Sequence, residues 1–531
     1  MAELQLSGRP ASPGLAFGPV VTMAASIVAR QPSDDPIEEA AALKGALAAA
    51  ALDIEALMAG AQGDATDILA FQVAMLEDDA LSEGAFHAIE AGIPADHAWG
   101  EAMAAEIQGY ESAEDDYFRA RAADLIDIRD RVLSHLTGTA DSEAIPHGAI
   151  VAGEDLTPSK FLAADWSKGG AIVLKGGSPS SHVAMLARAR GVPMVVALSQ
   201  APPASEAALV DGDRGLVVFD PEPATREAFM ARIASARTAQ LAAAAYLHEP
   251  ARLADGTPVQ LLINVADPAE LDGLDPAICD GVGLVRTEFL FHAGHGLPDE
   301  ERQTAVYATI AAWAQGKPVT IRTLDAGGDK PIPGLTVDGE TNPFLGVRGI
   351  RLSLARPEIF RVQLRALARA AVSGNIKVML PMVAVPGELE KAAALLDEEV
   401  AALQAAGIAC ARPALGMMVE VPAAALSATS FAAAFYSIGS NDLTQYTMAA
   451  ARDIGAVADL NDAGNPAVLD LIARTVSAGW ARGVEVSLCG DAGADLNLLA
   501  KLIATGLRTL SVAPVAVARV KAALAGIATR D

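Results

Sequence analysis

Polar residues of catalytic type recur in the second half of the chain, each at the end of a short apolar run. Guanidinium groups match phosphate and carboxylate oxygens in a two-pronged geometry, so several of them favour a small, multiply charged anion. Two carboxylates with few other protein ligands are typical of a Mg²⁺ site completed by water and substrate oxygens. A single arginine there is more often part of a structural ion pair, but the whole set favours a site. In chain order the set is Arg286, Arg322 with Asp325, Glu420, Asn441-Asp442 and Cys489, and Arg452 comes after Asp442 in a loop.

Cys489 differs from the other two cysteines in its sequence neighbours. Free cysteines are usually buried structural residues, and we expect that of Cys279 and Cys410. Cys489 instead ends a predicted strand and precedes a Gly-Asp turn, which would let its thiol face a pocket. A thiol there could serve as nucleophile or as general acid. Three scattered cysteines predict neither a disulfide framework nor a Cys-x-x-Cys metal site.

A second candidate site lies around His182. The segment before it is rich in Gly and Ser, and a helical pattern covers 182–190. His182 would therefore stand in the first turn of a short helix, where free backbone N–H groups favour an anion. A phosphorylated histidine would be well placed there, whereas the other seven histidines are expected to be structural.

Beyond residue 250, apolar runs alternate with helical segments. Parallel strands buried on both faces are near-continuous apolar runs, and eight of them alternating with helices predict a closed (β/α)₈ barrel, the TIM barrel. In such a barrel the chemistry gathers at the C-terminal ends of the strands, where the polar residues above fall. The predicted strands are 260–266, 281–286, 318–325, 377–383, 415–421, 435–440, 484–489 and 509–512.

The first half of the chain has a different organisation. Residues 1–20 are predicted as a strand-and-turn element, and 36–138 carry an apolar spacing of about 3.6 residues, typical of helices. Short β-type runs surround the helical stretch at 182–190. The sequence therefore predicts an α/β domain interrupted by helices. The β-type runs are 149–152, 171–174, 193–197 and 216–219.

The composition limits the classes of function. The 531 residues include 39 Lys and Arg against 66 Asp and Glu, a formal net charge of −27. Nucleic-acid binding needs phosphate-neutralising cations, so this balance disfavours it and suits a basic protein partner or simply a solvated surface. Hydrophobic residues at 52% exclude wholesale disorder. Because the sequence shows neither a secretory leader nor an apolar run of membrane-spanning length, we expect a cytoplasmic protein without membrane insertion.

Longer motifs extend these observations over nearly the whole chain. They include Ala11-Ser-Pro-Gly-Leu-Ala-Phe-Gly, Gly283-Leu-Val-Arg-Thr-Glu-Phe-Leu, Ile321-Arg-Thr-Leu-Asp-Ala-Gly-Gly-Asp-Lys, Val419-Glu-Val-Pro-Ala-Ala, Ser437-Ile-Gly-Ser-Asn-Asp-Leu-Thr-Gln-Tyr-Thr and Cys489-Gly. With these motifs the sequence resembles the phosphoenolpyruvate–protein phosphotransferases, the enzyme I family of the sugar phosphotransferase system.

The resemblance implies a role for each candidate residue. His182 would take the phosphoryl group of phosphoenolpyruvate (PEP) and pass it to a histidine of the phosphocarrier protein HPr, with release of pyruvate. Cys489 would protonate the enolate, and Glu420 and Asp442 would hold Mg²⁺. Positioning and charge stabilisation dominate phosphoryl transfer, and a metal ion and arginines supply both. The residues implied in PEP binding are Arg286, Arg322, Lys330, Arg348, Asn441, Asp442 and Arg452.

The resemblance also implies a domain plan. A phosphohistidine α/β domain would span 1–222 and contain a helical HPr-binding subdomain at 25–142. A linker helix would cover 223–250, and a PEP-binding TIM barrel would cover 251–531. Members of the family dimerise through the barrel, so we expect a homodimer. One departure is the loop Gly176-Gly-Ser-Pro-Ser-Ser-His182, where the family usually has Gly-Gly-Arg-Thr-Ser-His. That change concerns the loop geometry and the rate, not the role of the histidine.

Two other functions remain as alternatives. A small-molecule enzyme of the same superfamily, resembling pyruvate phosphate dikinase or PEP synthase, would carry a large nucleotide-binding domain, of which the sequence gives no sign. A catalytically inert relative would act only as a phosphorylation-dependent regulator, which the complete set of His182, Cys489, Glu420, Asp442 and the arginines disfavours. The sequence leaves open which HPr-type carrier and sugar pathway the protein serves.

Overall fold

The chain divides into two compact units, Met1–Ala236 and Arg237–Asp531, in a computed structural model. The division falls inside a helix, Pro223–Ala244, within the segment predicted as a linker. The predicted domain boundaries stay predictions. The structure describes all residues except 1–2, 23–29, 59–63, 112–115, 139–144, 180, 292–296, 329–331, 333, 338, 452–456, 458–459 and 529–531, and it also leaves out the side chains of 64–68, 111, 116–121, 182 and 189.

The first unit is an α/β fold with a helical insertion, as predicted. In chain order its described elements are β1 (Leu4–Ser7), β2 (Arg9–Ser12), β3 (Leu15–Thr22), α1 (Pro36–Met58), α2 (Asp64–Glu77), α3 (Asp79–Glu90), α4 (Ala95–Glu111), α5 (Asp116–Thr137), β4 (Ile150–Gly153), α6 (Pro158–Ala163), β5 (Ala171–Leu174), α7 (His182–Arg190), β6 (Met194–Val196), β7 (Ala207–Asp211), β8 (Leu216–Phe219) and α8 (Pro223–Ala244).

The strands of this unit form one mixed sheet in the order β1-β8-β7-β3-β4-β5-β6-β2. The inner strands β3, β4, β5 and β6 run parallel to one another, and the outer strands pair antiparallel. Every residue of β4 and β5 is buried, which explains why their sequences are continuous apolar runs. Strand β7 was not among the predicted strands.

The helical insertion, α1 to α5, has a core of its own around the fully buried Trp99. A buried carboxylate, Asp127 of α5, connects the insertion to α6. It accepts hydrogen bonds from the Ser159 hydroxyl at 2.6 Å, the Ser159 N–H at 3.1 Å and the Gln72 amide at 3.1 Å. Burial raises the pKa of Asp127. Helices α1 to α5 confirm the predicted helical segment 36–138 over its described residues.

The second unit is a closed barrel surrounded by helices. In chain order its described elements are β9 (Gln260–Val265), β10 (Val282–Val285), α9 (Glu300–Trp313), β11 (Val319–Arg322), α10 (Ile350–Ala355), α11 (Pro357–Ala370), β12 (Ile376–Leu380), α12 (Pro386–Ala405), β13 (Ala414–Val419), α13 (Pro422–Leu426), β14 (Phe435–Ile438), α14 (Ser440–Met448), α15 (Pro466–Arg482), β15 (Glu485–Leu488), α16 (Leu499–Ala504), β16 (Thr509–Val512) and α17 (Val517–Leu524).

The barrel strands follow one another in chain order, and β16 closes onto β9. All neighbours pair in parallel, so the predicted TIM barrel is confirmed. Most predicted runs end one to three residues too late, because the apolar sequence continues into the loops that leave each strand. Among the described residues, no helix combines the length and the apolar character needed to cross a membrane.

Candidate active site

The C-terminal ends of the barrel strands, which we call the barrel mouth, collect the predicted polar residues. Arg322 is the last residue of β11, Arg286 follows β10, Glu420 follows β13 and Cys489 follows β15, while Asp442 lies in the first turn of α14 after β14. Because parallel strands of a closed barrel end on one face, these residues share one site.

Arg322 is almost completely buried in the barrel mouth and is held by two carboxylates. Its Nη2 pairs with Glu288, and its Nη1 lies 3.1 Å from Asp325 Oδ2. Burial opposes the charge, but these two carboxylates outweigh it and raise the pKa of Arg322. Its Nε is buried and makes no hydrogen bond with the described residues. A ligand oxygen within reach would satisfy that N–H group, since a buried donor without a partner is costly.

Arg348 is fully buried and bridges two carboxylates. Its guanidinium donates to Asp325 at 3.1 Å through two nitrogens, and to Asp442 at 3.1 and 3.2 Å. It also donates to Tyr446 Oη at 3.2 Å, and that hydroxyl donates to the Phe344 carbonyl at 2.6 Å. Arg348 was predicted to bind PEP; in this structure its described hydrogen bonds are to two carboxylates and a tyrosine hydroxyl, and the role stays a prediction.

Glu420 and Asp442, the predicted metal ligands, are both buried. Burial, with the negative charges of Asp442 and Asp325, raises the pKa of Glu420 to about 8. One Glu420 oxygen accepts from the Met382 N–H at 2.6 Å. A carboxylate has more acceptor positions than these contacts use, so both groups retain oxygen lone pairs. Hard oxygen donors under mutual repulsion fit a divalent cation such as Mg²⁺.

The described residues contain no group of three His, Cys, Asp or Glu side chains arranged to hold a metal ion. This does not conflict with the predicted pair, because Mg²⁺ commonly binds one or two carboxylates and takes its remaining ligands from water and substrate phosphate.

Cys489 faces the barrel interior among apolar side chains. It packs with Leu284, Met379, Met418 and Phe435 and is 4% exposed. Burial, and more weakly the charge of Glu420, raise the pKa of the thiol to about 11. The thiol is therefore protonated near neutral pH. Of the two chemistries predicted for it, this state favours a proton donor over a nucleophile, which must be a thiolate.

Asn441 is oriented by the loop after Cys489. Its Nδ2 donates to the Asp491 carboxylate at 2.8 Å, and its Oδ1 accepts from the Asp491 N–H at 3.0 Å. A Cβ at Gly490 would lie 1.9 Å from Ser440 Oγ, so only glycine permits this close approach. The loop after β15 and the start of α14 are thus held together.

The remaining predicted PEP-binding residues are less constrained or lie outside the described residues. The side chain of Arg286 is exposed, while its backbone N–H donates to the Val265 carbonyl at 2.9 Å. Lys330 and Arg452 lie outside the described residues.

His182 is the first residue of α7, as predicted, although its side chain lies outside the described part of the structure. The preceding residue, Ser181, is the helix N-cap and accepts from the Ala184 N–H at 3.3 Å. Arg188 fixes the preceding loop, because its Nη1 donates to the Pro179 carbonyl at 2.8 Å and to the Ala11 carbonyl at 2.6 Å. An anion at the start of α7 would meet free N–H groups.

Several residues that shape the barrel mouth were not predicted as members of the site. Asn264 of β9 donates to the Cys489 carbonyl at 3.1 Å, and the Ser511 hydroxyl donates to Asn264 Oδ1 at 2.6 Å. Glu288, which pairs with Arg322, and Tyr446, which accepts from Arg348, are further examples. Glu288 and Tyr446 lie inside motifs identified in the sequence, whereas nothing local distinguished Asn264 or Ser511 from core polar residues.

Comparisons with known proteins define the class of this fold and site. The family described as PEP-utilising enzyme, PEP-binding domain, matches residues 240–529. The N-terminal domain family of PEP-utilising enzymes matches 7–121, and their mobile domain family matches 145–215. The chain is thus built as an enzyme that uses PEP.

Curated relatives narrow the class. A phosphoenolpyruvate-protein phosphotransferase of Geobacillus stearothermophilus is 36% identical, over 100% of this chain and 94% of the relative. One of Streptomyces coelicolor is 38% identical, over 98% and 94%. One of Haloferax volcanii is 38% identical, over 86% and 81%. The chain therefore belongs to the phosphoenolpyruvate-protein phosphotransferase family, and the resemblance found in the sequence is confirmed.

Proposed function

We propose that the chain transfers the phosphoryl group of PEP to His182 and then to a histidine of an HPr-type phosphocarrier protein, releasing pyruvate. The observation that carries this proposal is the barrel mouth: a buried arginine with an unused N–H group, next to two buried carboxylates and a protonated thiol. An anion-binding, metal-binding and proton-donating set of this kind is what PEP cleavage requires.

The binding step uses the charges of the barrel mouth. Arg322 would offer its free Nε–H to a PEP oxygen, and Arg286, Lys330, Arg452 and Asn441 would contact the phosphate and carboxylate groups. Glu420 and Asp442 would hold Mg²⁺, which when bound neutralises phosphate charge. The ion pairs of Arg322 and Arg348 are fixed before substrate arrives, so little reorganisation is needed.

The transfer step makes one bond to phosphorus and breaks another. The ring nitrogen of His182 forms a bond to phosphorus while the phosphorus–oxygen bond of PEP breaks, and the electron pair stays on the enolate oxygen. The enolate carbon then takes the Cys489 proton, which gives pyruvate and a thiolate that solvent reprotonates. A thiol with a pKa of about 11 holds its proton until a strong carbon base is present.

The helical insertion is the proposed docking surface for the carrier. Its helices α3 and α4 expose acidic side chains at Glu83, Glu90, Glu101 and Glu106. Negative charge would steer a basic carrier toward this subdomain. We extend the proposal to a homodimer formed through the barrel and to a cytoplasmic location, on the family resemblance alone.

The test is incubation of the purified chain with radiolabelled PEP and Mg²⁺, without nucleotide, followed by a chase with candidate HPr proteins. Acid-labile label on the chain that moves to one HPr is the expected result and names the carrier. A requirement for nucleotide would favour the dikinase-type alternative. Absence of any label would favour the inert regulator.

A further inference from the structure

A buried amide behind the barrel mouth connects two neighbouring strands. Gln363 lies on α11, is 2% exposed, and accepts from the Leu324 N–H through Oε1 at 3.0 Å. Its Nε2 donates to the hydroxyl oxygens of Thr287 at 3.4 Å and Tyr307 at 3.1 Å. Thr287 follows β10 and Leu324 follows β11, so one side chain reaches the exits of both strands.

The direction of each hydrogen bond in this network follows from the single proton that each hydroxyl group can donate. The Thr287 hydroxyl donates its single proton to the Arg322 carbonyl at 3.0 Å, and the Tyr307 hydroxyl donates to Gln303 Oε1 at 3.1 Å. Both hydroxyls can therefore only accept from Gln363, whose oxygen is left for the backbone N–H group. An amide turned over would lose all three contacts, so the network specifies one arrangement.

The network meets the chain directly after Arg322, at the two peptide groups that flank Thr323. Thr287 contacts the Arg322 carbonyl, and Gln363 contacts the Leu324 N–H. After β10, Thr287 is the residue directly following Arg286. One side chain of a third element, α11, thus contacts the backbone next to Arg322 and, through Thr287, the chain next to Arg286.

We infer that Gln363, acting through Thr287, is a positioning residue that sets the spacing of Arg286 and Arg322 for PEP. This rests on the proposed function, in which those arginines bind PEP. The network does not touch Cys489 or Glu420 among the described contacts, so its loss should weaken substrate binding more than it slows the chemistry.

Single substitutions in a non-transferring background test the inference. The full-length His182→Ala chain, with Mg²⁺ present, should bind PEP without turnover, and calorimetric titration gives the Kd for PEP. Thr287→Val deletes the buried hydrogen bond to the Arg322 carbonyl and also removes the acceptor for Gln363 Nε2. Tyr436→Phe is the matched control, because the buried Tyr436 hydroxyl donates to the Ala428 carbonyl at 2.7 Å, away from both arginine strands.

We expect Thr287→Val to raise the Kd for PEP about fivefold and Gln363→Leu about tenfold or more, the size expected for buried hydrogen bonds. Thr287→Ser, which keeps the hydroxyl, and Tyr436→Phe should stay within about twofold of the parent. In the His182-containing chain, KM should rise more than kcat falls.

Two results would overturn the inference. The first is an unchanged Kd for PEP in Thr287→Val and Gln363→Leu, while thermal unfolding shows that both variants lose stability as Tyr436→Phe does. The network would then have a purely structural role. The second is a Thr287→Ser variant as weak as Thr287→Val. If Gln363→Leu does not fold, the two Thr287 variants decide. Failure of the His182→Ala parent itself to bind PEP would overturn the proposed function, and the inference with it.

Discussion

The barrel mouth and the start of α7 hold their functional groups in contrasting ways. In the barrel mouth, Arg348 and Asp325 are completely buried and ion-paired, and Arg322 is nearly so. The start of α7 depends on a Ser181 cap and on the Arg188 side chain, which donates to a backbone carbonyl of the Gly- and Ser-rich loop. A substrate site benefits from charges fixed in advance. A group that is proposed to react with two partners needs access instead, and functional groups on loops commonly have it.

The contrast between the two regions would fail most completely if the phosphoryl group of PEP became attached to a residue other than His182. We expect His182→Ala to abolish acid-labile labelling from radiolabelled PEP, because no other described residue offers a histidine at a helix N-terminus after such a loop. His147→Ala, an exposed histidine of the same unit, should label normally. Persistent acid-labile label in His182→Ala would contradict the assignment.

Removal of the proposed proton donor, Cys489, should have the next largest effect. Cys489→Ala is expected to lower kcat for pyruvate formation by about 10²- to 10⁴-fold, the usual contribution of a general acid, while PEP still binds. A coupled pyruvate assay and a PEP titration measure the two quantities. Cys410→Ala is the control, since Cys410 lies outside the barrel mouth. Unchanged turnover would return Cys489 to a structural role.

The buried ion pairs of the barrel mouth should cost far more to break than exposed ones. Arg348→Met leaves Asp325 and Asp442 without their shared cation, so we expect a loss of about 3–5 kcal/mol in the free energy of unfolding. Arg361→Met is the control: Arg361 pairs with Glu398 and Glu399 but is one-third exposed, so a much smaller loss is expected. Denaturant unfolding that gives equal losses would show that the barrel mouth is not organised by these pairs.

The protonation state of the Cys489 thiol can be measured from the pH dependence of its alkylation rate. Burial raises the pKa of Cys489 to about 11, so the reactive thiolate is the minor form between pH 7 and 10. Alkylation of Cys489, followed by peptide mass spectrometry, should accelerate about tenfold per pH unit across that range. In denaturant the same peptide should level off near pH 9, as an ordinary thiol does. A plateau below pH 9 in the native protein would argue for a nucleophilic thiolate.

The start of α7 should give the smallest effect. Ser181→Ala removes the side-chain acceptor for the Ala184 N–H, and a lost N-cap costs about 1 kcal/mol. Ser181→Thr retains an acceptor and should be nearly neutral. Calorimetric unfolding measures both variants. A loss as large as that of Arg348→Met would remove the contrast between the two regions.

The sequence predicted the barrel because its strands are buried on both faces and are therefore continuous apolar runs. The same reasoning placed Arg286, Arg322, Glu420 and Cys489 at strand ends, and the structure brings them to one barrel mouth. Strand β7 was missed because Ala207–Asp211 contains two alanines and ends in a carboxylate.

The connections between these residues could not be predicted from the sequence. Arg348 lies 94 positions before Asp442, and Gln363 lies 76 positions after Thr287. Such pairs depend on how helices pack behind the strands, and local spacing carries no information on that packing. The family resemblance predicted Cys489 as a proton donor, but the apolar surroundings that raise its pKa could not be predicted from the sequence.

The closed barrel and the open sheet of the first unit also differ in how they limit the addition of a strand from another chain. Because β16 pairs with β9, the barrel leaves no strand edge among the described residues to which another chain could add. The open sheet ends in β1 and β2, each of four residues, and β2 contains Pro10, which has no N–H to donate. Aggregation through strand addition should therefore be restricted at both sheets, which favours handling this protein at high concentration.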